Sequence, residues 1–236
     1  MKNKKEYLTV YIIDDASNCD YSDVINKFEG IINIQYFKLE KNVGSGLARA
    51  YGIDNSSSEY FMFIDADDIL PNCEIIDLVL EKINLKPDLI IGNIYDEKKQ
   101  ELFKNHDGCL HGKCYKRDFI NVKKIKFSNR RIHEDNEFHK KVIMNAPNIK
   151  FINELIYIYK HNKNSLTNNN GNHYDEYISM IIDVVKYAEE NDINYNVINK
   201  FLEQRKIYIE SLDINLKCYN ELLKILSKYN IEINDK

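Results

Sequence analysis

The chain has no tryptophan, three prolines and no apolar run near the ~18 to 20 residues that a membrane-spanning helix needs. No such helix is therefore expected within it. Proline does not recur after Pro147, which leaves the last third free to form uninterrupted helices. An excess of positive charge is missing too: 33 basic against 37 acidic residues leave a net charge of −4. No basic field exists to gather nucleic acid. Five cysteines (Cys19, Cys73, Cys109, Cys114 and Cys218) are odd in number, irregularly spaced and never paired as C-x-x-C. That argues against a zinc site or a disulfide framework and for reduced thiols. The basic start reaches Asp14 before a signal-peptide core can form. A cytoplasmic location is expected, with contact at the inner face of a membrane left open.

What the chain does have is acidic charge at the ends of apolar runs. Residues 60–64, Tyr-Phe-Met-Phe-Ile, run straight into Asp65, Asp67 and Asp68. Carboxylates crowded at a strand end are unfavourable unless a cation or cationic ligand sits there. Hard oxygen donors at this spacing suit Mg²⁺ or Mn²⁺, ions that commonly hold a diphosphate. The alternative is a solvated acidic turn before the helix that follows Pro71.

A second acidic end follows residues 7–13, at Asp14 and Asp15. These two could accept from a nucleobase or ribose, or could simply be turn residues. A strand over 33–39 leads into Gly44-Ser45-Gly46 and a helix reaching about Asp54, and a helix N-terminus receives phosphate well. Arg49 occupies the place of the third glycine of a dinucleotide fingerprint, so a dehydrogenase is poorly supported. Arg49 reads equally as a fixed charge facing an acidic pocket or as a surface residue.

Short helices are expected over 21–28, with Val24, Ile25 and Phe28 on one face, and over 73–84, with a strand at 88–95. Strand and helix thus alternate through the first 95 residues or so, the pattern of a parallel α/β sheet. Ligands bind such sheets outside the carboxyl ends of the strands. Asp14-Asp15, the glycine loop and Asp65-Asp67-Asp68 all fall at such ends and are expected to converge on one edge. The stretch 96–168 is less regular, with a helix over 134–144 and a strand over 151–159. Tyr157 and Tyr159 on that strand read as core packing. An Asn-rich loop over 161–172 precedes three amphipathic helices, near 173–190, 195–212 and 217–229. A domain over 1–170 and a helical extension over 171–236 are the expected division.

Glu134 and Asp135 open the helix at 134–144. Acidic residues are favoured in a first turn by the helix dipole, and a carboxylate at a cleft mouth can also act as general base. His133, Glu134 and His139 are not a zincin motif, because Glu137 stands where H-E-x-x-H requires histidine. A haloacid-dehalogenase phosphatase also uses Asp-x-Asp after a strand. It wants Thr or Val where Ile69 stands, and no later lysine–aspartate set is evident.

Six segments taken in order resemble the family-2 glycosyltransferases, which have the GT-A fold. They are Ile-Ile-Asp-Asp-Ala-Ser (12–17), Asn-Val-Gly-Ser-Gly-Leu-Ala-Arg (42–49), Phe-Ile-Asp-Ala-Asp-Asp (63–68), His-Gly-Lys-Cys-Tyr-Lys-Arg-Asp-Phe (111–119), His-Glu-Asp-Asn-Glu-Phe (133–138) and His-Asn-Lys-Asn-Ser-Leu-Thr (161–167). The resemblance implies a mostly parallel sheet flanked by helices. It also implies an inverting, Mn²⁺- or Mg²⁺-dependent transfer from a nucleotide-sugar, UDP-linked, to a hydroxyl of a glycan or glycoconjugate. By the same resemblance Asp15 contacts uracil and Arg49 lies beside the nucleotide. Asp65 and Asp67 are the D-x-D pair, with Asp67 on the metal, and Asp135 is the base. Lys113 flanks the acceptor cleft, and His161 lies in the loop over the diphosphate. Relatives begin with a strand–helix unit ahead of the Asp-Asp strand, whereas 13 residues precede Asp14 here. That unit is expected to be absent, and the open sheet slot to favour self-association. A non-catalytic relative that keeps the fold as a binding or scaffolding protein is the alternative.

Overall fold

In the computed structural model, residues 6–106, 108–160, 173–212 and 216–233 are described. The chain divides into two units, one of residues 1–58 with 127–131 and one of 59–126 with 132–236. The strands likewise form two sheets, of two and five strands.

In the first unit, β1 (Thr9–Asp14) and β2 (Asn33–Lys38) pair in parallel, with Thr9 opposite Asn33 and Asp14 opposite Lys38. The crossover is α1 (Ser22–Phe28). This helix forms where expected, but its apolar face is not buried: Val24 and Phe28 are 50% and 39% exposed. After β2 the chain turns through Gly44, whose φ of +88° suits glycine, into α2 (Ser45–Asp54). Ring contacts of Phe37 with Tyr11 and Tyr51 tie α2 to both strands.

The second unit is built on β4 (Leu89–Asp96), in which Leu89 to Ile94 are all buried. A run apolar but for Asn93, whose amide donates to the Asn153 carbonyl, is what a strand covered on both faces requires. Its neighbours are β5 (Glu101–Phe103), β6 (Lys113–Lys116) and β7 (Ile149–Tyr159), and β3 (Tyr60–Met62) lies beyond β6. β7 pairs with β4 in parallel, whereas β6 is antiparallel to both β3 and β4, and β5 is antiparallel to β4. The expected mostly parallel sheet is thus a mixed one. β3, β4 and β7 run one way, and the reversed β6 sits between the first two. Its four residues, followed at once by α4 (Arg117–Val122), are too short to show a strand period in sequence.

Gly92 marks the register shift between β4 and β7, where a Cβ would lie 2.3 Å from Ile156 Cδ1. On one side of the sheet α3 (Glu74–Ile83) packs Ile75 and Val79 with Tyr60, Ile90, Cys114, Ile152 and Ile156. α5 (Glu134–Asn145) sets Phe138 against Phe63 and Tyr115. α6 (Tyr174–Glu190), α7 (Tyr195–Glu203), α8 (Lys206–Ser211) and α9 (Leu216–Lys228) surround a second core, against which Met144 of α5 packs. The expected helix at 195–212 is two helices. Arg205 ends the first by donating from Nη1 to the Phe201 carbonyl at 2.6 Å, a cation at a helix C-terminus.

Candidate functional site

At the carboxyl end of β1, adjacent aspartates do different things. Asp14 is buried and accepts from the Ser17 amide at 2.7 Å and the Tyr36 hydroxyl at 2.8 Å, with Lys38 at 3.8 Å. The Ser17 amide leads in holding its carboxyl below the usual range, against some desolvation, and Tyr36 and Lys38 help. Asp14 is architectural. Asp15 grips the glycine loop: its two oxygens accept from the amides of Val43 at 2.7 Å and Gly44 at 2.8 Å. Asp15 and the glycine loop therefore meet, as expected for this unit. Any base contact by Asp15 would share oxygens already bonded to the loop. Arg49 lies half-buried on α2, one turn past the loop.

The second acidic end, just past β3, is a tight turn closed by the Asp68 amide donating to the Asp65 carbonyl at 3.0 Å. The turn is fastened to β7 through reciprocal backbone bonds between Ile69 and Ile158. Asp68 points inward. It accepts from the Tyr157 hydroxyl at 2.5 Å and from the Lys160 amide at 2.8 Å. Burial, and the charge of Asp65 after it, raise the Asp68 carboxyl above its usual range in spite of these bonds. The Tyr157 hydroxyl also accepts from the Asp65 amide at 3.2 Å, so one buried phenol braces both ends of the turn. Asp65 faces His111, with Nε2 at 3.2 Å from Oδ2, and the imidazole stacks on Tyr157 and Tyr159 at ring distances of 4.9 and 5.2 Å. Burial alone would push the His111 imidazole down, but its bonds to Asp65 and Cys109 outweigh that and hold it at about 10. Asp67, between the two inward-turned carboxylates, is exposed.

Ligand atoms of Asp65, Asp68 and His111 lie within 4.8 Å of one another, close enough to share an ion. The donors do not suit that use equally. Asp68 is already bonded through both oxygens, and His111 Nε2 is directed at Asp65. Asp67, expected from sequence to share an ion with Asp65, is not among these three and is exposed.

Lys113 is fully buried, and its Nζ donates to the His111 carbonyl at 2.9 Å. It braces the segment that presents His111. Glu134 is buried and Asp135 half-exposed in the first turn of α5. Just before them His133 holds φ at +67°, in the left-handed region. Phe63 lies two residues before Asp65 and Phe138 three after Asp135, so their ring contact ties α5 to the acidic turn. His139 is buried, bonded at Nδ1 to the Tyr115 hydroxyl, and has no metal-binding part. His161 lies outside the described residues.

Residues 1–145 match the family model described as glycosyl transferase family 2, which is more than half of the chain. The chain belongs to this family. The dehydrogenase and phosphatase alternatives fall away. Relatives include the glycosyltransferase GlyA of Streptococcus pneumoniae, 20% identical over 68% of this chain and 27% of that protein. Another is the poly(ribitol-phosphate) β-N-acetylglucosaminyltransferase TarP of Staphylococcus aureus, 30% identical over 58% of this chain and 48% of that protein. The chain thus spans between about a quarter and a half of these two relatives. The S. aureus TarS 1–349 complex with UDP-GlcNAc superposes over 95% of this chain and 72% of that one, with a TM-score of 0.78 and 16% identity. A mannosyltransferase of Pyrobaculum calidifontis, in complex with GDP-Man and Mn²⁺, gives a TM-score of 0.58 over 96% of this chain and 67% of its own, at 11% identity. These likenesses establish the GT-A fold. No described helix is long and apolar enough to cross a membrane.

Proposed function

We propose that the family-2 domain transfers a sugar from a nucleotide-sugar, UDP-linked, to a hydroxyl of a glycan or glycoconjugate, with inversion. The observation that carries this is the acidic turn: Asp65 is fixed by His111 and Tyr157, while Asp67 stands exposed beside it. Asp65 and Asp67 would hold Mn²⁺ or Mg²⁺, which when bound would neutralise charge on a diphosphate leaving group. Asp15 shapes the glycine loop and, with Arg49, serves the nucleotide. Asp135 takes the proton of the acceptor hydroxyl as its oxygen bonds to the anomeric carbon and the bond to the nucleoside diphosphate breaks. Glu134, buried, supports that turn, and Lys113 holds the His111 segment in place. His161 is assigned to the donor side by family resemblance alone. Residues 171–236 are assigned as a helical C-terminal extension of the transferase domain. A cytoplasmic site fits the free cysteines, and peripheral contact with a membrane and self-association are proposed alongside it.

The test is Asp135→Asn. Transfer should fall by roughly 10²-fold or more while UDP affinity stays within about twofold, since a general base acts after the donor is bound. Parallel loss of both would remove Asp135 from this role. Absence of nucleotide binding by the unaltered protein would favour a non-catalytic relative.

A further inference from the structure

The acidic turn lies past the carboxyl end of β3; the opposite end of the same sheet is basic. Lys86, Lys116, Lys123 and Lys124 gather there, beside the amino ends of β3, β4 and β7. The Arg117 amide donates to the Glu59 carbonyl at 2.8 Å, the Lys116 amide to the Asp88 carbonyl at 3.1 Å, and the Asn148 side chain to the Lys86 carbonyl at 3.1 Å. The Tyr187 hydroxyl joins the Lys123 carbonyl, at 3.0 Å, to the Asn145 side chain, at 3.3 Å. Residues 116–126 carry five basic side chains against Asp118 alone, in a chain of net charge −4. Lys86 and Lys124 are exposed, and Lys116 and Lys123 are half-buried. Among the described residues no carboxylate pairs with any of these four lysines. Of the acids at this end, Asp88 accepts from the Asn148 amide at 3.1 Å, while Glu59 and Asp118 are exposed.

Two helices end here in the same unusual way. α4 closes with the Lys124 amide donating to the Asn121 carbonyl at 3.0 Å and the Ile125 amide to the Ile120 carbonyl at 3.1 Å. In that pattern the left-handed residue is ordinarily glycine, yet Lys124 takes the place with φ at +52°. α3 closes with the Lys86 amide on the Ile83 carbonyl at 2.8 Å, and Lys86 holds φ at +49°. Glycine would adopt either conformation with less strain. A cation is favourable near a helix C-terminus, which accounts for the charge but not for the residues before it. Leu85, next to Lys86, is 56% exposed, and Val122, two before Lys124, is 77% exposed. Ile120 and Ile125 are buried on either side of Val122, so the turn is anchored with that side chain held outward.

We propose that this end of the sheet docks on an anionic lipid bilayer, with the lysines at the headgroups and Leu85 and Val122 entering the interface. A hydrated polyanion would use the lysines and gain nothing from the two apolar side chains; a lipid surface uses both. The proposal rests on the peripheral membrane contact inferred above, gives it a place and a lipid charge, and leaves the acidic turn facing away from the bilayer. The test is co-sedimentation of the full chain with vesicles of equal parts phosphatidylglycerol and phosphatidylcholine, and of phosphatidylcholine alone, beside a titration with UDP and Mn²⁺. Binding should require phosphatidylglycerol. Lys86→Gly combined with Lys124→Gly removes two charges and relieves both left-handed positions. It should lower the vesicle partition coefficient on the order of tenfold, with UDP affinity unchanged and a melting temperature no lower than that of the unaltered chain. Leu85→Ser combined with Val122→Ser should lower it severalfold. No binding to the mixed vesicles, equal binding to phosphatidylcholine alone, or a loss confined to the charge variant overturns the proposal, the last outcome pointing to a polyanion instead. The donor reading survives any of these if UDP still binds. Vesicle binding that both variants weaken, without any UDP binding, supports the docking face and overturns the donor reading.

Discussion

Asp14 and Asp68 occupy the same kind of place in the two units. Each lies at the end of a strand or just past one, turns inward, and accepts from a backbone amide and a tyrosine hydroxyl, Tyr36 for one and Tyr157 for the other. Each has an outward neighbour, Asp15 or Asp67, for which a ligand role is proposed. Their carboxyls nevertheless shift in opposite directions. For Asp14 the Ser17 amide outweighs desolvation and lowers the carboxyl; for Asp68 desolvation outweighs its two donors, and the nearby Asp65 charge adds to the rise. In each acidic pair the inward carboxylate builds its own turn; of the two neighbours, Asp15 is bonded to the glycine loop through both oxygens and Asp67 is exposed. What differs is the balance at two similarly buried carboxylates: the donors prevail over desolvation at Asp14, whereas desolvation and the Asp65 charge prevail over the donors at Asp68.

The largest effect expected from that difference is on stability. Tyr157→Phe removes the hydroxyl that braces both Asp65 and Asp68 and leaves a buried carboxylate short of a donor. It should destabilise the protein by about 2–3 kcal/mol in urea unfolding. Tyr36→Phe, at Asp14, which keeps the Ser17 amide and the Lys38 charge and whose tyrosine braces no second aspartate, should cost distinctly less, and equal losses would erase the contrast.

The pH dependence should separate the two residues by sign. Asp14 is depressed in the fold, so its contribution is present above the unfolded value near 3.8 and is lost as pH falls through the folded value. Asp68 is raised, so its contribution is most favourable below 3.8 and declines as pH rises from there through the folded value. The stability difference between the unaltered protein and Asp14→Asn should therefore grow with rising pH across the acid range, while the corresponding difference for Asp68→Asn should shrink. Urea midpoints between about pH 3 and 6 check this, and slopes of the same sign would contradict it. The smallest effect belongs to Lys38→Gln. Lys38 is half-exposed and 3.8 Å from Asp14, and such pairs contribute little. No change should be resolvable in the same melts.

Much of this arrangement was legible before any coordinates. Apolar runs that stop in aspartates located β1, β3 and both acidic turns, because strand ends and carboxylates leave a local signature. The inward turn of Asp68 was not legible, because its donors Tyr157 and Lys160 lie about ninety residues away in sequence. For the same reason Tyr157 reads as packing. It is indeed fully buried, but its hydroxyl organises the site. His111 lies in the segment that carries Lys113, and its pairing with Asp65 spans 46 residues, so no local pattern marks it. The α7–α8 break escaped notice because Arg205 ends α7 through its side chain, with neither glycine nor proline to mark it. The exposed Val24 and Phe28 show the limit of periodicity, which predicts a helix but not what covers its apolar face.

The central claim is that Asp65 and the exposed Asp67 form the cation and diphosphate end of a sugar-transfer site, with Asp68 as its buttress. Thermal unfolding with UDP and MnCl₂, on the unaltered chain and on Asp67→Asn, tests it most directly. At ligand near 100 times Kd the unaltered protein should gain about 2.7 kcal/mol and melt several degrees higher. Asp67→Asn should melt at the same temperature as the unaltered protein without ligand and show no upward shift with it. An equal shift in both proteins, or none in the unaltered chain with any nucleoside diphosphate, would contradict the account.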